Sequence, residues 1–275
     1  MLWICPVCQA PLLLSGAQWQ CENNHCYDRA KAGYVNLLLA NQKRRPEPGD
    51  SKEMINARRA FLEEDHYLPL VNSLADLIRH QLDKSTLALY DAGCGEGYYL
   101  GKIVSLLSRP ELTICAAGSD ISKPAIEKAA RKYQQLHFSI ASNFNMPVPS
   151  DSQDVVLQVF APGSAEEVHR ILVFGGLWLH VSPAEEHLAQ LKAALYQTPQ
   201  QHKIDAEIPV GFEELPRARL RYEFRLPNLQ SRKDLLMMTP YYWSVTEGAM
   251  ASVLECMSEL SADFSIRVLR KKGSE

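Results

Sequence analysis

The sequence predicts an α/β protein: a mainly parallel sheet with helices on both faces, preceded by a small metal-binding module. Three observations predict it. From Thr86 onward, apolar strand candidates alternate with helical patterns, an arrangement that implies a parallel sheet joined by crossover helices. The first of those strands runs into Asp91-Ala-Gly93-Cys-Gly95-Glu96-Gly97, a turn with glycine at every second position. Four of the seven cysteines (Cys5, Cys8, Cys21 and Cys26) lie in the first 26 residues, with His25 beside the last. A chain of 275 residues has room for one large domain and something small.

The small part comes first. Cys5-Pro-Val-Cys8 is a C-x2-C knuckle, and Cys21 to His25 is a C-x3-H pair twelve residues further on. Thiolates and imidazole in a set of four suit tetrahedral zinc, and a closed set of that kind is structural. A segment this short buries too little apolar surface to fold alone, so the metal would supply its folding energy. Cys5, Cys8, Cys21 and His25 are the candidate ligands, with Cys26 the alternative to its neighbour His25. Short strands are expected at Leu12–Leu14 and Trp19–Gln20, within a ribbon spanning 1–38.

Residues 39–51 are rich in turn formers and charge and read as a linker. Lys52–Leu62 and Leu68–Leu82 have helical periodicity, so 39–82 connects the ribbon to a main domain at 83–275. In that domain the expected strands are Thr86–Tyr90, Leu112–Gly118, Leu136–Ala141, Asp154–Phe160 and Leu177–Val181. The expected helices are Tyr98–Leu107, Ser122–Tyr133, Ala165–Leu172 and Pro183–Tyr196. Tyr222–Leu226 and Phe264–Leu269 alternate polar and apolar residues and suit two final strands. Cys94, Cys115 and Cys256 sit in apolar or glycine contexts and read as small core or loop residues.

The glycine turn carries the chemistry. Glycines let the backbone turn with positive φ and let a ligand approach main-chain N–H groups without meeting a Cβ. A pyrophosphate-binding turn reads G-x-G-x-x-G; this one reads D-x-G-x-G-x-G. Asp120 ends the second strand, 29 positions after Asp91, where an acidic residue accepts hydrogen bonds from ribose hydroxyls. Asp also caps helices, although Ser122 offers an alternative cap for the helix that follows.

This turn resembles the first motif of class I S-adenosylmethionine-dependent methyltransferases. Together with the ribbon, and with Lys31-Ala-Gly-Tyr-Val-Asn-Leu-Leu38, Pro48-Gly-Asp-Ser51, Met54, Ala57-Arg-Arg-Ala-Phe-Leu62 and His66-Tyr67, the chain is similar to the bacterial 23S ribosomal RNA (guanine-N1)-methyltransferases. The resemblance runs from Met1 to about Leu195 and then thins to points such as Met238-Thr-Pro240 and Trp243. It implies a Rossmann-like sheet whose last two strands are antiparallel, and a cofactor held by Asp91, Gly93, Gly95, Glu96, Gly97 and Asp120. It implies further that Ser142 and Asn143 meet the adenine, that Phe160-Ala-Pro162 ends the strand where methyl group and target base meet, and that Tyr67 and His187 lie near the cofactor. Relatives tend to carry Tyr at the Phe160 position and Cys at Gly163, so the sequence departs from the pattern at the reaction centre. No catalytic base is identified.

Composition narrows the classes. No 18-residue apolar run and no basic-then-apolar N-terminus occur, so neither a membrane span nor a signal peptide is expected, and clustered thiols point to a reducing cytoplasm. The net charge is −3, yet residues 1–60 hold eight Lys/Arg against five Asp/Glu, a positive end on an acidic chain. The expected partner is a 23S rRNA hairpin, with phosphates meeting Lys43-Arg44-Arg45, Arg58-Arg59 or the alternating Arg217, Arg219, Arg221 and Arg225. Oligomeric state stays open, a homodimer included. Two alternatives remain at this stage: a zinc-ribbon methyltransferase acting on another RNA or a small molecule, and an RNA-binding relative without turnover.

Overall fold

The computed structural model describes residues 2–42, 48–195 and 207–273. Strands β1 (Leu13–Ser15), β2 (Gln18–Gln20) and β3 (Cys26–Asp28) form a three-stranded antiparallel ribbon in that order. Gly16, at φ +60°, makes the tight turn between the first two. The chain then enters the main sheet at once: β4 (Val35–Asn36) lies parallel to β7 (His137–Ile140), Val35 opposite Ser139. Helices α1 (Lys52–Glu63) and α2 (Leu68–Gln81) follow. Ser51 starts α1 because its hydroxyl accepts the Met54 N–H at 3.3 Å, satisfying one of the free donors of the first turn.

The alternation read from the sequence follows. It comprises β5 (Thr86–Ala92), α3 (Tyr98–Leu107), β6 (Thr113–Asp120), α4 (Lys123–Lys132), β7, β8 (Gln153–Val159), α5 (Ala165–Ile171), β9 (Leu172–Pro183) and α6 (Ala189–Leu195). The last part adds β10 (Phe212–Glu214), β11 (Ala218–Arg225), α7 (Leu229–Met237), α8 (Met250–Cys256) and β12 (Glu259–Lys271). Sheet order is β10-β12-β9-β8-β5-β6-β7-β4, with β11 also on β12. Strands β4 to β9 run parallel; β12 is antiparallel to β9, and β10 and β11 are antiparallel to β12. This is the expected Rossmann-like sheet. The order reverses at β5, whose neighbours are β6 and β8, and in open α/β sheets such a switch point is where ligands bind, beyond the carboxyl ends of the strands.

The structure adds β3, β10, α7 and α8, which the sequence reading does not name, and two further departures bear on the site. A helix was expected over Pro183–Tyr196, but β9 continues to Pro183 and the helix starts only at Ala189. Residues 185–188 form a turn tied to the neighbouring strand: Ala184 N–H donates to the Asp263 carbonyl (2.9 Å), Glu186 N–H to the Asp263 carboxylate (2.9 Å) and Leu188 N–H to the Ser261 carbonyl (2.8 Å). His187 therefore sits on a pinned loop, not on a helix. Tyr196 lies outside the described residues. The second departure is β4, which the ribbon's polar look concealed.

The core has two layers, one on each face of the sheet. One packs Leu70, Leu74, Leu89, Ile103, Phe138 and Phe264 beneath α2, α3 and α4. On the other face, Trp3, Leu12, Val35 and Leu37 of the N-terminal segment join Tyr90, Val156 and Trp178 of the sheet in one cluster. The ribbon is thus built into the core of the main domain. Among the described residues no helix is long and apolar enough to cross a membrane.

Candidate active site and metal centre

Two short knuckles shape the metal centre. Gln9 N–H donates to the Cys5 carbonyl (2.8 Å) and Asn24 N–H to that of Cys21 (3.0 Å). Gln9 and Asn24 both adopt positive φ, near +60°, so each chain segment folds back under its cysteine. The result gathers Cys5, Cys8, Cys21 and His25, whose ligand atoms all lie within 4.8 Å of one another. Zinc bonds of about 2.3 Å to sulfur and about 2.0 Å to nitrogen give tetrahedral edges of about 3.8 Å between sulfurs and about 3.5 Å between sulfur and nitrogen. The edges here are 3.7 Å for Cys8–Cys21 and 3.5 Å for both Cys5–His25 and Cys21–His25, with Nδ1 as the imidazole atom. The donor set fits zinc. Tyr27 places its hydroxyl 3.2 Å from the Cys5 sulfur, a second contact that steadies a ligand. Cys26 is exposed, with its sulfur 3.5 Å from the Asn24 carbonyl, outside the cluster.

The second site is a cavity of about 750 Å³ over the carboxyl ends of β5, β6, β8 and β9. Its wall includes Tyr67, Gly93, Gly95, Glu96 and Asp120, and, farther along, Ser142, Asn143, Phe160 and His187. Asp91, next to last in β5, and Gly97, the N-cap of α3, adjoin these residues without lining the cavity. Nine of the eleven residues picked from the sequence thus share one cavity.

The loop is shaped by what its glycines lack. Gly93, Gly95 and Gly97 have φ of +85°, +55° and +85°, and a Cβ on Gly93 would stand 2.3 Å from the Cβ of Ala161. Asp120 holds this loop from β6, one carboxylate oxygen accepting Gly95 N–H (3.0 Å) and the other Ser122 N–H (2.8 Å). It therefore closes the turn before α4 as well as facing the cavity, while the Ser122 hydroxyl donates to the Asp50 carbonyl (3.0 Å).

Two acids at this site are buried with unbonded oxygens. Asp91 is 1% exposed and its Oδ2 has no hydrogen bond; both oxygens of Glu96, also 1% exposed, have none. Burial, and then the charge of Asp120, pushes the Asp91 carboxyl up to about 8, and burial pushes Glu96 up to about 7. Orphaned buried carboxyls are costly unless a cation comes to them. A glycine cradle beside such groups fits a cationic cofactor such as S-adenosylmethionine.

The far end of the cavity is aromatic. Asp263 N–H donates to His187 Nδ1 at 3.3 Å, so in the neutral ring Nε2 carries the proton and faces the Tyr67 hydroxyl at 3.5 Å. Phe264 packs against both rings at 4.9 and 5.1 Å. Phe160 follows β8, with Gln158 Nε2 donating to the Ala161 carbonyl (2.7 Å) and Asn143 Nδ2 to that of Pro162 (3.0 Å). Gly163 allows this, because a Cβ there would lie 2.9 Å from Gln158 Nε2. The two departures from the family pattern thus belong to one packed unit.

Sequence reading missed Arg58, Tyr99 and His180 in the wall. Arg58, a candidate for RNA phosphates, pairs with Asp50 at 2.5 Å beside the glycine loop, and Arg59 pairs with Glu63 at 2.8 Å. The arginines at 217, 219, 221 and 225 pair with Glu214, Asp263, Glu186 and Glu259. Lys43, Arg44 and Arg45 lie outside the described residues.

Comparison with known proteins gives the following. The family model described as "RlmA, N-terminal" matches residues 3–45. The 23S rRNA (guanine(748)-N(1))-methyltransferase of Streptomyces fradiae is 33% identical over 247 residues, covering 87% of this chain and 85% of that one. YxjB of Bacillus subtilis (strain 168), provisionally named a 23S rRNA (guanine-N(1)-)-methyltransferase, is 29% identical over 274 residues, covering 96% and 95%. A chain of Micromonospora griseorubida with the same provisional activity is 28% identical over 292 residues, covering 97% and 95%.

Two outcomes follow from this geometry. Cys26→Ser should keep one zinc per chain, while Cys21→Ser should lose it, as read by elemental analysis of freshly purified protein; equal zinc in both would exclude the four-ligand assignment. The raised carboxyls carry a sign. Burial raises both carboxyls in the folded chain, so ionising them costs stability, which falls as pH climbs from the ordinary carboxylate range up to about 7 to 8, and a bound cation reverses the preference. Binding of S-adenosylmethionine near pH 6.5 should therefore release about one proton or more, measured by calorimetry in buffers of different ionisation enthalpy. Binding without proton release would mean that neither carboxyl meets the cation.

Proposed function

Because the chain belongs to the 23S rRNA (guanine-N1)-methyltransferase family, we propose that it transfers a methyl group from S-adenosylmethionine to N1 of a guanine in a hairpin of 23S ribosomal RNA. The observation that carries this is the cavity at the β5 switch point, with its glycine cradle and orphaned acids, in a chain whose zinc ribbon shares the core of the same sheet. A methyltransferase sheet alone would leave the substrate open. The ribbon built into it is what favours RNA.

The cofactor, when bound, supplies an electrophilic methyl group on a sulfonium. The chain supplies position and charge. The Gly93–Gly97 backbone lies along the cofactor, Asp91 and Glu96 answer its positive charge, Asp120 takes the ribose, and Ser142 and Asn143 border the adenine. Tyr67, Phe160 and His187 surround the end where transfer occurs. Much of the rate comes from holding the acceptor nitrogen in line in a dry pocket. Guanine N1 carries a proton at neutral pH, and its loss is helped by donors that stabilise charge on O6. His187 suits that role better than that of a base, because its acceptor nitrogen is already engaged by Asp263.

RNA contact is assigned to the ribbon side. A groove of about 920 Å³ between the ribbon and the α4–β7 edge is lined by Arg29, Lys31 and Arg131, with Trp19 beside them. Cations in a groove on an acidic chain suit phosphates, which fix position without reading sequence. Residues 1–38 then recognise RNA, 39–82 connect, and 83–275 perform the transfer. The enzyme acts in the cytoplasm, where ribosomal RNA is, as a monomer or a homodimer.

Two experiments check the reading. Nuclease-digested 23S rRNA from a deletion strain should lack one N1-methylguanosine, which mass spectrometry counts and which the restored gene returns; an unchanged nucleoside profile would exclude the reaction. Arg29→Glu with Lys31→Glu should flatten the salt dependence of RNA binding by about two units of log–log slope. The same variant should leave cofactor affinity unchanged. An unchanged slope would move the phosphate contacts elsewhere.

A further inference from the structure

Phe160 holds a backbone conformation that aromatic residues avoid. Its φ is +55°, in the left-handed region where a Cβ crowds the carbonyl and where glycine or asparagine is the usual occupant. The neighbourhood enforces it. Phe160 N–H is tied to the Val181 carbonyl at 3.1 Å, and the next two carbonyls are clamped by Gln158 and Asn143 at 2.7 and 3.0 Å. Ala161 is wedged over Gly93, where no Cβ could stand.

The strained turn gains the fold nothing visible, because the ring it carries is not buried. Phe160 is 41% exposed and lines the cavity. Its support comes from rings: His187 nearly parallel (27°, centroids 6.2 Å apart), Phe264 at 5.6 Å, and the edge of Tyr99 at 6.5 Å. A backbone strained to present an apolar ring to an open cavity is the mark of a ligand clamp. The ring stands at the end of β8, on the opposite side of the glycine loop from Asp120.

We propose that Phe160 is the stacking platform for the base that receives the methyl group. Resting on the guanine-N1 reading above, the inference is that the target guanine leaves its stack in the RNA and lies on the exposed area of this ring, its N1 edge toward the cofactor. A base must be extruded for chemistry at a ring atom, and aromatic side chains take over its lost stacking. Stacking needs a π face and no hydroxyl, so phenylalanine serves where the family pattern has tyrosine. Asn143 and Gln158 are positioning residues that hold the platform turned outward.

The test uses the full-length zinc-loaded protein, S-adenosylmethionine and an unmodified 23S rRNA transcript. Phe160→Gly relieves the positive φ and removes the ring, so the protein should melt no lower than wild type and bind cofactor within about twofold. Its kcat/KM for RNA should nevertheless fall by about 10- to 100-fold, the value of one lost base stack. Phe160→Trp, which keeps a π face, should recover most of that rate, and Phe160→Leu, of similar bulk, should not. Wild-type transfer rates in Phe160→Gly or Phe160→Leu would overturn the proposal. So would a cofactor affinity that falls in step with transfer, since the ring would then serve the cofactor. Nucleoside analysis of the wild-type product separates the two readings: methyl on another base or atom refutes guanine N1 while the stacking comparison stands. Wild-type protein that methylates no base in this RNA would overturn both.

Discussion

A buried carboxyl group with an oxygen left unbonded is a debt in any fold, and Asp91 is one. It ends the central strand β5, 1% exposed, with Oδ2 unbonded. Removing it from water disfavours the charged form, as the neighbouring Asp120 does again. The free protein tolerates this because β5 is paired on both edges and packed on both faces, so the carboxyl has nowhere to turn. The glycine loop that follows must then bend at once, which fixes the approach of Ala161 and, through it, the turn at Phe160. One desolvated acid and one missing Cβ set the outline of the whole cavity.

How much of this could be read in the sequence depends on how local its causes are. The zinc ligands were legible because each knuckle closes within five residues, but the choice of His25 over Cys26 needed the turn at Asn24, which leaves the Cys26 sulfur outside the cluster. The glycine loop is as local, and Asp120, which holds it from 25 residues away, was legible only through the strand–turn–helix pattern on either side. What failed was governed from afar. The stretch after β9 has helical composition, but Asp263 and Ser261, on a strand that returns some 75 residues later, claim its N–H groups first. The ion pair of Arg58 with Asp50 could not be read from the sequence, because only the turn into α1 brings the two together. The arginines around β11 looked like one basic stripe, and they do share a face; their acidic partners come from other elements.

The same distinction separates the two departures from the family pattern. Taken singly, Phe160 and Gly163 looked like the loss of a hydroxyl and of a thiol at a reaction centre. In space they are tied through Gln158, whose amide occupies the room Gly163 leaves and clamps the carbonyl after Phe160. The change is one of packing, and the cavity keeps an aromatic ring at its mouth.

Strand β4 has a consequence beyond recognition. It is two residues long and belongs by sequence to the ribbon, yet it pairs with β7, which would otherwise end the sheet on that side. An unpaired strand edge is a template for another chain. The ribbon's tail is thus also a plug: it covers the β7 edge, and a chain cut short of it would offer that edge to a neighbour.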